Sequence, residues 1–317
     1  QYAREMCPWE DIRNVKEFLC VSVVDDIDYP LATITRMDDL IGETIGSGKK
    51  LGVVGLNDMP GIIRDRIASS KDGLEIADAS AIINKMRLTK SPAEIECLKE
   101  AGRLACVGYE QLIKNAIPGN TELQAAGAAE GAARMAGAEA ITFMVFGSGE
   151  RTNTIIGRPN RKIIEDGDMV MAALAVQYEG YVSTTEFPFV AGTVSPAKRD
   201  FLNALMDATN IAIENMVAGK PMCGLVKAVR DYFRKSGLSQ YDVYPPMHGI
   251  GLAEAEAPYP DENTQAVFEP GMTVNTDISL FGVPNAGGNR VEESLLITET
   301  GVESITPFIR QLCEKGI

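Results

Sequence analysis

The chain predicts an α+β fold, an internally duplicated αα-ββ unit over residues 85–317 preceded by part of an α/β domain over 1–84. Three observations predict it. A long helical stretch, a shorter one and then strands follow one another over 92–191, and again over 196–298. The segment GDMVMAALAVQYEG near the end of the first run is echoed by PGMTVNTDISLFG in the second. Before residue 85 the pattern differs, with short apolar runs alternating with a helical stretch. A duplicated unit of this kind predicts two halves about a pseudo-twofold axis and a curved antiparallel sheet covered by helices. Side chains would converge in the cleft between the halves.

The elements follow in order. Residues 21–24 and 51–56 (LGVVGL) read as short buried strands, and 60–69 as a helix with Ile62, Ile63 and Ile67 on one face. This region carries no recognisable chemistry, and its opening on Gln rather than Met suits a piece of a longer chain. Residues 85–92 (KMRLTKSP) mark the boundary. Ser91 and Glu94 form a capping box with Pro92 at the first helical position, so a helix starts there. Ile95, Leu98, Ala105, Tyr109 and Leu112 give it one apolar stripe to about residue 115. A second box, Thr121 and Gln124, opens an Ala/Gly-rich helix to about 135, whose small side chains suit close packing on a sheet.

Residues 141–146 read as a strand and 147–153 (GSGERTN) as a loop. Gly167 and Asp168 turn the chain into a strand over 169–176, and Glu179-Gly180 makes a hairpin turn into 181–191. A long helix runs from Pro196 to about 217, ended by Gly219. A shorter helix over 224–235 precedes the strands of 241–298.

With 30 basic against 44 acidic residues, the net charge is −14. Nucleic acid demands a basic surface and anionic membranes attract one, so neither is expected as a partner. The longest apolar run, 169–176, is far short of the ~20 residues that span a bilayer. Six cysteines without a CxxC pair read as reduced thiols of a cytoplasmic protein.

The chemistry concentrates in residues 244–293. His248 is the one histidine in 317 residues, and Glu254, Glu256, Asp277, Arg290, Glu292 and Glu293 follow it. A neutral imidazole with several carboxylates on strands is the raw material of a metal site or an acid–base site. Asp277 interrupts an otherwise apolar and small strand, so its burial demands a partner, His248 or Arg290. Arg290 either pairs with a carboxylate or grips a substrate carboxylate with two nitrogens.

The motifs PPMHGIGL, FEPGMTV and GGNRVEESLLIT, placed after GD-x-V…EGY-x-S, resemble the pita-bread family of creatinase, prolidase, aminopeptidase P and methionine aminopeptidase. The resemblance spans roughly 85–308, and 1–84 is similar to the remainder of the N-terminal domain of creatinase and prolidase. It implies a pita-bread fold. The metallopeptidases of the family hold two divalent ions with two aspartates, a histidine and two glutamates. Those positions fall here on Ala173, Thr184, His248, Asp277 and Glu292. Two neutral residues among five argue against the two-ion centre, because hard cations need several oxygen anions. The metal set that remains is His248, Asp277 and Glu292, and the expectation is that no metal cofactor is held. Two further family histidines fall near Ile156 and on Ala255.

Creatinase, which cleaves a C–N bond without metal, is the member the motifs resemble most. GYVSTTEFP places its active-site glutamate on Glu186, while PNAGGNRVE and ESITPF are also creatinase-like. The resemblance therefore implies metal-independent hydrolysis of an amide or amidino C–N bond in a small molecule. Glu186 and Glu292 are the expected acid–base carboxylates and His248 the proton relay. Arg290, Asp277 and Glu256 are the expected substrate-binding residues. The alternatives are a metal-dependent Xaa-Pro dipeptidase or aminopeptidase, and a catalytically inactive binding module. A homodimer is expected by the same resemblance.

Overall fold

In the computed structural model, residue 7 and residues 10–18 and 33–315 are described; the strand expected over 21–24 lies outside them. The chain divides into two compact units, Gln1–Met86 and Arg87–Ile317.

In the first unit, β1 (Asn14–Val15) and β2 (Ile34–Thr35) form a short parallel pair. Helix α1 (Met37–Ile45), with Asp38 and Asp39 in its first turn, follows. A second parallel pair joins β3 (Lys50–Val53) to β4 (Glu75–Asp78), with α2 (Gly61–Ser69) between them in sequence. Met37, Ile41 and Ile67 are the buried residues of this unit's small core. The strand expected over 51–56 is shorter because residues 54–58 turn, with Gly55 in the left-handed region at φ +73°. Helices α1 and α3 (Ser80–Leu88) escape the sequence reading. α3 leaves Ile82 and Met86 mostly exposed, so its apolar residues mark no inward stripe. The boundary between the units falls inside α3.

The second unit opens on α4 (Pro92–Asn115) and α5 (Glu122–Met135), each begun by the capping box the sequence predicts. α4 buries Leu98, Leu104, Ala105, Tyr109 and Leu112, and α5 turns Ala125, Ala126, Ala129 and Ala133 inward. Gly108 permits this packing: a Cβ there would lie 2.5 Å from a methyl of Leu174 and 3.0 Å from the carbonyl of Ala129. Each large side chain buried this way contributes roughly 1.5–3 kcal/mol.

Strands β5 (Ala140–Ser148), β6 (Met169–Tyr178) and β7 (Tyr181–Glu186) make an antiparallel sheet, with the two-residue β8 (Phe189–Val190) also paired to β6. The β6–β7 turn is Glu179-Gly180, both at positive φ (47° and 81°), as a two-residue hairpin requires. The single strand expected over 181–191 is broken at Phe187-Pro188. Proline cannot donate to the ladder, and the Phe187 N–H instead meets the Tyr109 hydroxyl at 2.7 Å. That hydroxyl also lies 2.8 Å from the carbonyls of Ala172 and Phe187, tying α4 to both strands.

The second half repeats the order with α6 (Pro196–Glu214) and α7 (Cys223–Lys235). α6 stops three residues short of its expected end, its C-cap Asn215 N–H bonding back to Ala212, and Gly219 lies in the following turn. Strands β9 (Met247–Gly249), β10 (Thr273–Thr276), β11 (Ile278–Val283), β12 (Gly287–Val291), β13 (Ser294–Thr298) and β14 (Gly301–Ser304) then lead to α8 (Pro307–Lys315). β9, β10, β13 and β14 form one antiparallel sheet, while β11 and β12 form a hairpin. The two halves are joined through backbone, the Val182 N–H bonding the Gly251 carbonyl at 2.8 Å. The N–H groups of Glu186 and Glu292 each bond the other's carbonyl, at 3.0 and 2.9 Å. No helix among the described residues is long and apolar enough to cross a membrane.

Candidate functional site

At that junction the sheet residues turn polar. His248 comes from β9, Asp277 follows β10, Arg290 ends on β12 and Glu292 lies just past it. The loop between β9 and β10 supplies Glu254. Gly249 lets this loop fold back, its N–H meeting the Glu256 carbonyl at 2.9 Å; a Cβ at Gly249 would lie 2.2 Å from the Ala257 carbonyl oxygen. Together with Tyr244, these five side chains line one small cavity of about 110 Å³.

Arg290 is the cation at its base. Its Nε lies 2.6 Å from Glu186 and 3.2 Å from Glu292, its Nη1 3.7 Å from Asp277, and its Nη2 donates to the Ile155 carbonyl at 3.2 Å. Burial works against its charge, but Glu186, Glu292 and Asp277 outweigh that and hold the guanidinium firmly protonated. The acids move the other way. Burial pushes Glu186 up to about 8, with Arg290 pulling it down and Glu292 pushing it further. Burial likewise raises Glu292 to about 7, against Arg290 and with Asp277. Asp277 is raised by burial and Glu254 by burial and Glu292. Four carboxylates around one guanidinium leave a strongly anionic pocket. Such a site needs protons, a cationic ligand or a metal to balance it.

Two details sharpen the chemistry. Asp277 is 3% exposed and its Oδ1 has no hydrogen-bond partner. The Nδ1 of His248 lies 3.0 Å from the Gly249 carbonyl, an acceptor only. Nδ1 therefore carries the proton of that bond, which leaves Nε2 as the nitrogen free of it.

Of the residues singled out in the sequence, His248, Asp277, Arg290 and Glu292 meet in the cavity. Glu186 joins the network but does not line the cavity; fully buried, it stands behind Arg290 as that residue's partner. Arg290 in turn is no free clamp for a substrate carboxylate, because three carboxylates and a carbonyl already face its nitrogens. Glu256 turns away. Its carboxylate pairs with Lys90 at 2.9 Å and with Arg87, anchoring the loop instead of contacting a ligand. Glu254, named in the sequence among the acids that follow His248, was given no role there, because it occupies none of the positions that the resemblance marks. Its signal was the Gly249-Ile250-Gly251 turn, which brings the chain back over His248.

Duplicated halves, each pairing two helices with antiparallel strands around an acid-lined cavity, make the pita-bread fold. The chain belongs to metallopeptidase family M24, whose model matches residues 96–299. It is 25% identical over 289 residues to the Xaa-Pro dipeptidase of Pyrococcus furiosus, covering 91% of this chain and 82% of that protein. The structure of the prolidase from Pyrococcus furiosus superposes with a TM-score of 0.80 at 25% identity, over 87% of this chain and 82% of that one. The Xaa-Pro dipeptidase from Bacillus anthracis gives 0.78 at 27% identity, over 87% and 79%.

Membership raises the question of metal. The positions to which the resemblance assigns the two aspartates of a two-ion centre hold the buried Ala173 and Thr184, and the Thr184 hydroxyl has no hydrogen-bond partner. Glu186 shares their face of the sheet, since Ala173 pairs with Glu186 across β6–β7, but its carboxylate goes to Arg290. These residues do not fit a two-ion centre. The set expected to remain, His248, Asp277 and Glu292, is also not the one assembled. His248, Glu254 and Glu292 bring their ligand atoms within 4.8 Å of one another, while Asp277 faces Arg290.

Proposed function

We propose that this chain hydrolyses a C–N bond in a small substrate of the dipeptide kind, one with a cationic amino group next to the bond that breaks. The observation that carries the reading is the Asp277 oxygen that has no hydrogen-bond partner, 3.7 Å from Arg290, on the wall of an anionic cavity that Arg290 neutralises only in part. The ammonium end of a dipeptide supplies the missing positive charge, and the ring of Tyr244 offers it a further favourable surface. Asp277 Oδ1 then takes a proton from water as the water oxygen attacks the carbonyl carbon. When the C–N bond of the tetrahedral species breaks, the proton returns from Asp277 to the leaving nitrogen. Glu186 and Glu292 act on this chemistry by fixing Arg290.

Two considerations favour a dipeptidase-type reaction over the metal-free, creatinase-like one that the motifs suggested. The relatives bear dipeptidase and prolidase names. Glu186, the acid–base residue that reading requires, is sealed behind Arg290. The test is a hydrolysis screen of Xaa-Pro and other dipeptides, simple amides and guanidino compounds, run in chelator and with added Mn²⁺ or Zn²⁺. Turnover of dipeptides above the other classes is expected. No turnover of any of them in any condition overturns the reading.

A further inference from the structure

We propose that the cavity binds one divalent cation, held by His248 Nε2 and the carboxylates of Glu254 and Glu292, and that Glu254 is the ligand that makes the site. The proposal rests on the hydrolase reading only in sharing its cavity. Its substance is a disagreement with the two-ion arrangement of the family. Two of the five positions of that arrangement are Ala173 and Thr184, and Glu254 is not among the five.

Geometry comes first. The three ligand atoms lie within 4.8 Å of one another. Ligands about 2.1 Å from one ion stand about 3.4 Å apart in a tetrahedral array, so side-chain shifts of about an ångström close the site. The imidazole is already oriented, since its Nδ1 proton is engaged by the Gly249 carbonyl at 3.0 Å, the outer contact that metal-binding histidines use. Glu292 is steadied by Asn275, whose Nδ2 donates to Oε2 at 2.9 Å. One imidazole nitrogen and two carboxylate oxygens suit Zn²⁺ or Mn²⁺ and leave positions for water.

A second observation points to the same ligand. Asp277, 3% exposed, holds an oxygen without a hydrogen-bond partner on the same cavity wall, 3.7 Å from the nearest guanidinium nitrogen. Glu186, Glu254, Asp277 and Glu292 bring four carboxylates, and Arg290 is the guanidinium among them. A divalent ion removes most of the excess negative charge. A second ion finds no ligand set of its own, because Glu186 is sealed behind Arg290 outside the cavity, Asp277 stands alone beside the guanidinium, and the two positions on β6 and β7 are neutral.

The experiment uses the whole chain without a histidine tag, stripped with chelator and titrated with Zn²⁺ or Mn²⁺. Calorimetry with metal analysis is expected to give one equivalent per chain. Because His248 is the one histidine, its imidazole NMR signals report the site directly. They are expected to shift with Zn²⁺ and broaden with Mn²⁺. Glu254→Gln, isosteric and half-buried, should weaken binding on the order of 100-fold, with Glu254→Asp intermediate and circular dichroism showing all three folded. Two equivalents, no binding, unmoved His248 signals, or an unchanged affinity in Glu254→Gln each overturn the proposal. An ion bound in a protein that cleaves nothing leaves this site standing and removes the hydrolase reading. Turnover by a protein that binds no ion does the reverse.

Discussion

Strand β7 brings Thr184 and Glu186 to the junction of the two halves, and β6 brings Ala173 beside them. The strands that follow α6 and α7 bring His248, Asp277, Arg290 and Glu292, with Glu254 on the loop between two of them. The halves share an order of elements, yet nearly all the ionisable chemistry belongs to the second. The carboxylate that the first half brings to this junction, Glu186, pairs with a guanidinium of the second. A duplicated scaffold can therefore assign support to one copy and chemistry to the other, since the backbone junction is maintained whichever side chains hang on it.

The largest blow to this division is Arg290→Met. It leaves Glu186, Asp277 and Glu292 buried together without their cation, and a loss of about 3–5 kcal/mol is expected in urea unfolding at pH 8. Next is Asp277→Asn, which keeps the shape and removes the base. Turnover should drop about 10²–10⁴-fold while the unfolding midpoint stays within the range of a surface substitution.

A smaller effect is the pH profile of stability in chelator. Glu186, near 4.5 when unfolded, is raised to about 8 in the fold, so the folded state binds its proton more tightly. Its contribution is complete below about pH 4.5 and is lost as pH climbs through 8. The melting temperature should therefore decline across that window, and Glu186→Gln should flatten the decline. A profile as steep in the variant as in the parent would show that other groups set it.

The smallest effect belongs to the neutral half. Thr184→Val removes a buried hydroxyl that has no partner, so stability should change by less than about 1 kcal/mol, toward greater stability, with turnover unaltered. A large loss there would give the first half a chemical part that the division denies it.

The capping boxes at Ser91 and Thr121 are local devices, complete within four residues, and the structure has both of them where the sequence reads them. The Glu179-Gly180 hairpin is local in the same way. α1 and α3 were illegible because they belong to a small unit whose helices leave much apolar surface outward, so no clean periodic face exists to read. The cavity was legible as a stretch of sequence but not as a set of contacts. Nothing in the order of residues says that Glu256 will find Lys90, some 166 positions earlier, while Glu254 turns to His248. Nor does it say that Arg290 will be surrounded by carboxylates before any substrate arrives. Such choices are settled by which cation the fold delivers to which acid, and that is a long-range outcome.

The reciprocal backbone bonds between Glu186 and Glu292 fasten the two halves together behind Arg290. Halves joined in this manner cannot swing apart about that point without breaking two buried hydrogen bonds at once. Selection among candidate molecules then falls to the mouth, where Ile156 and Tyr259 stand largely in solvent. Redesigning what enters should begin with those two side chains, leaving the floor untouched.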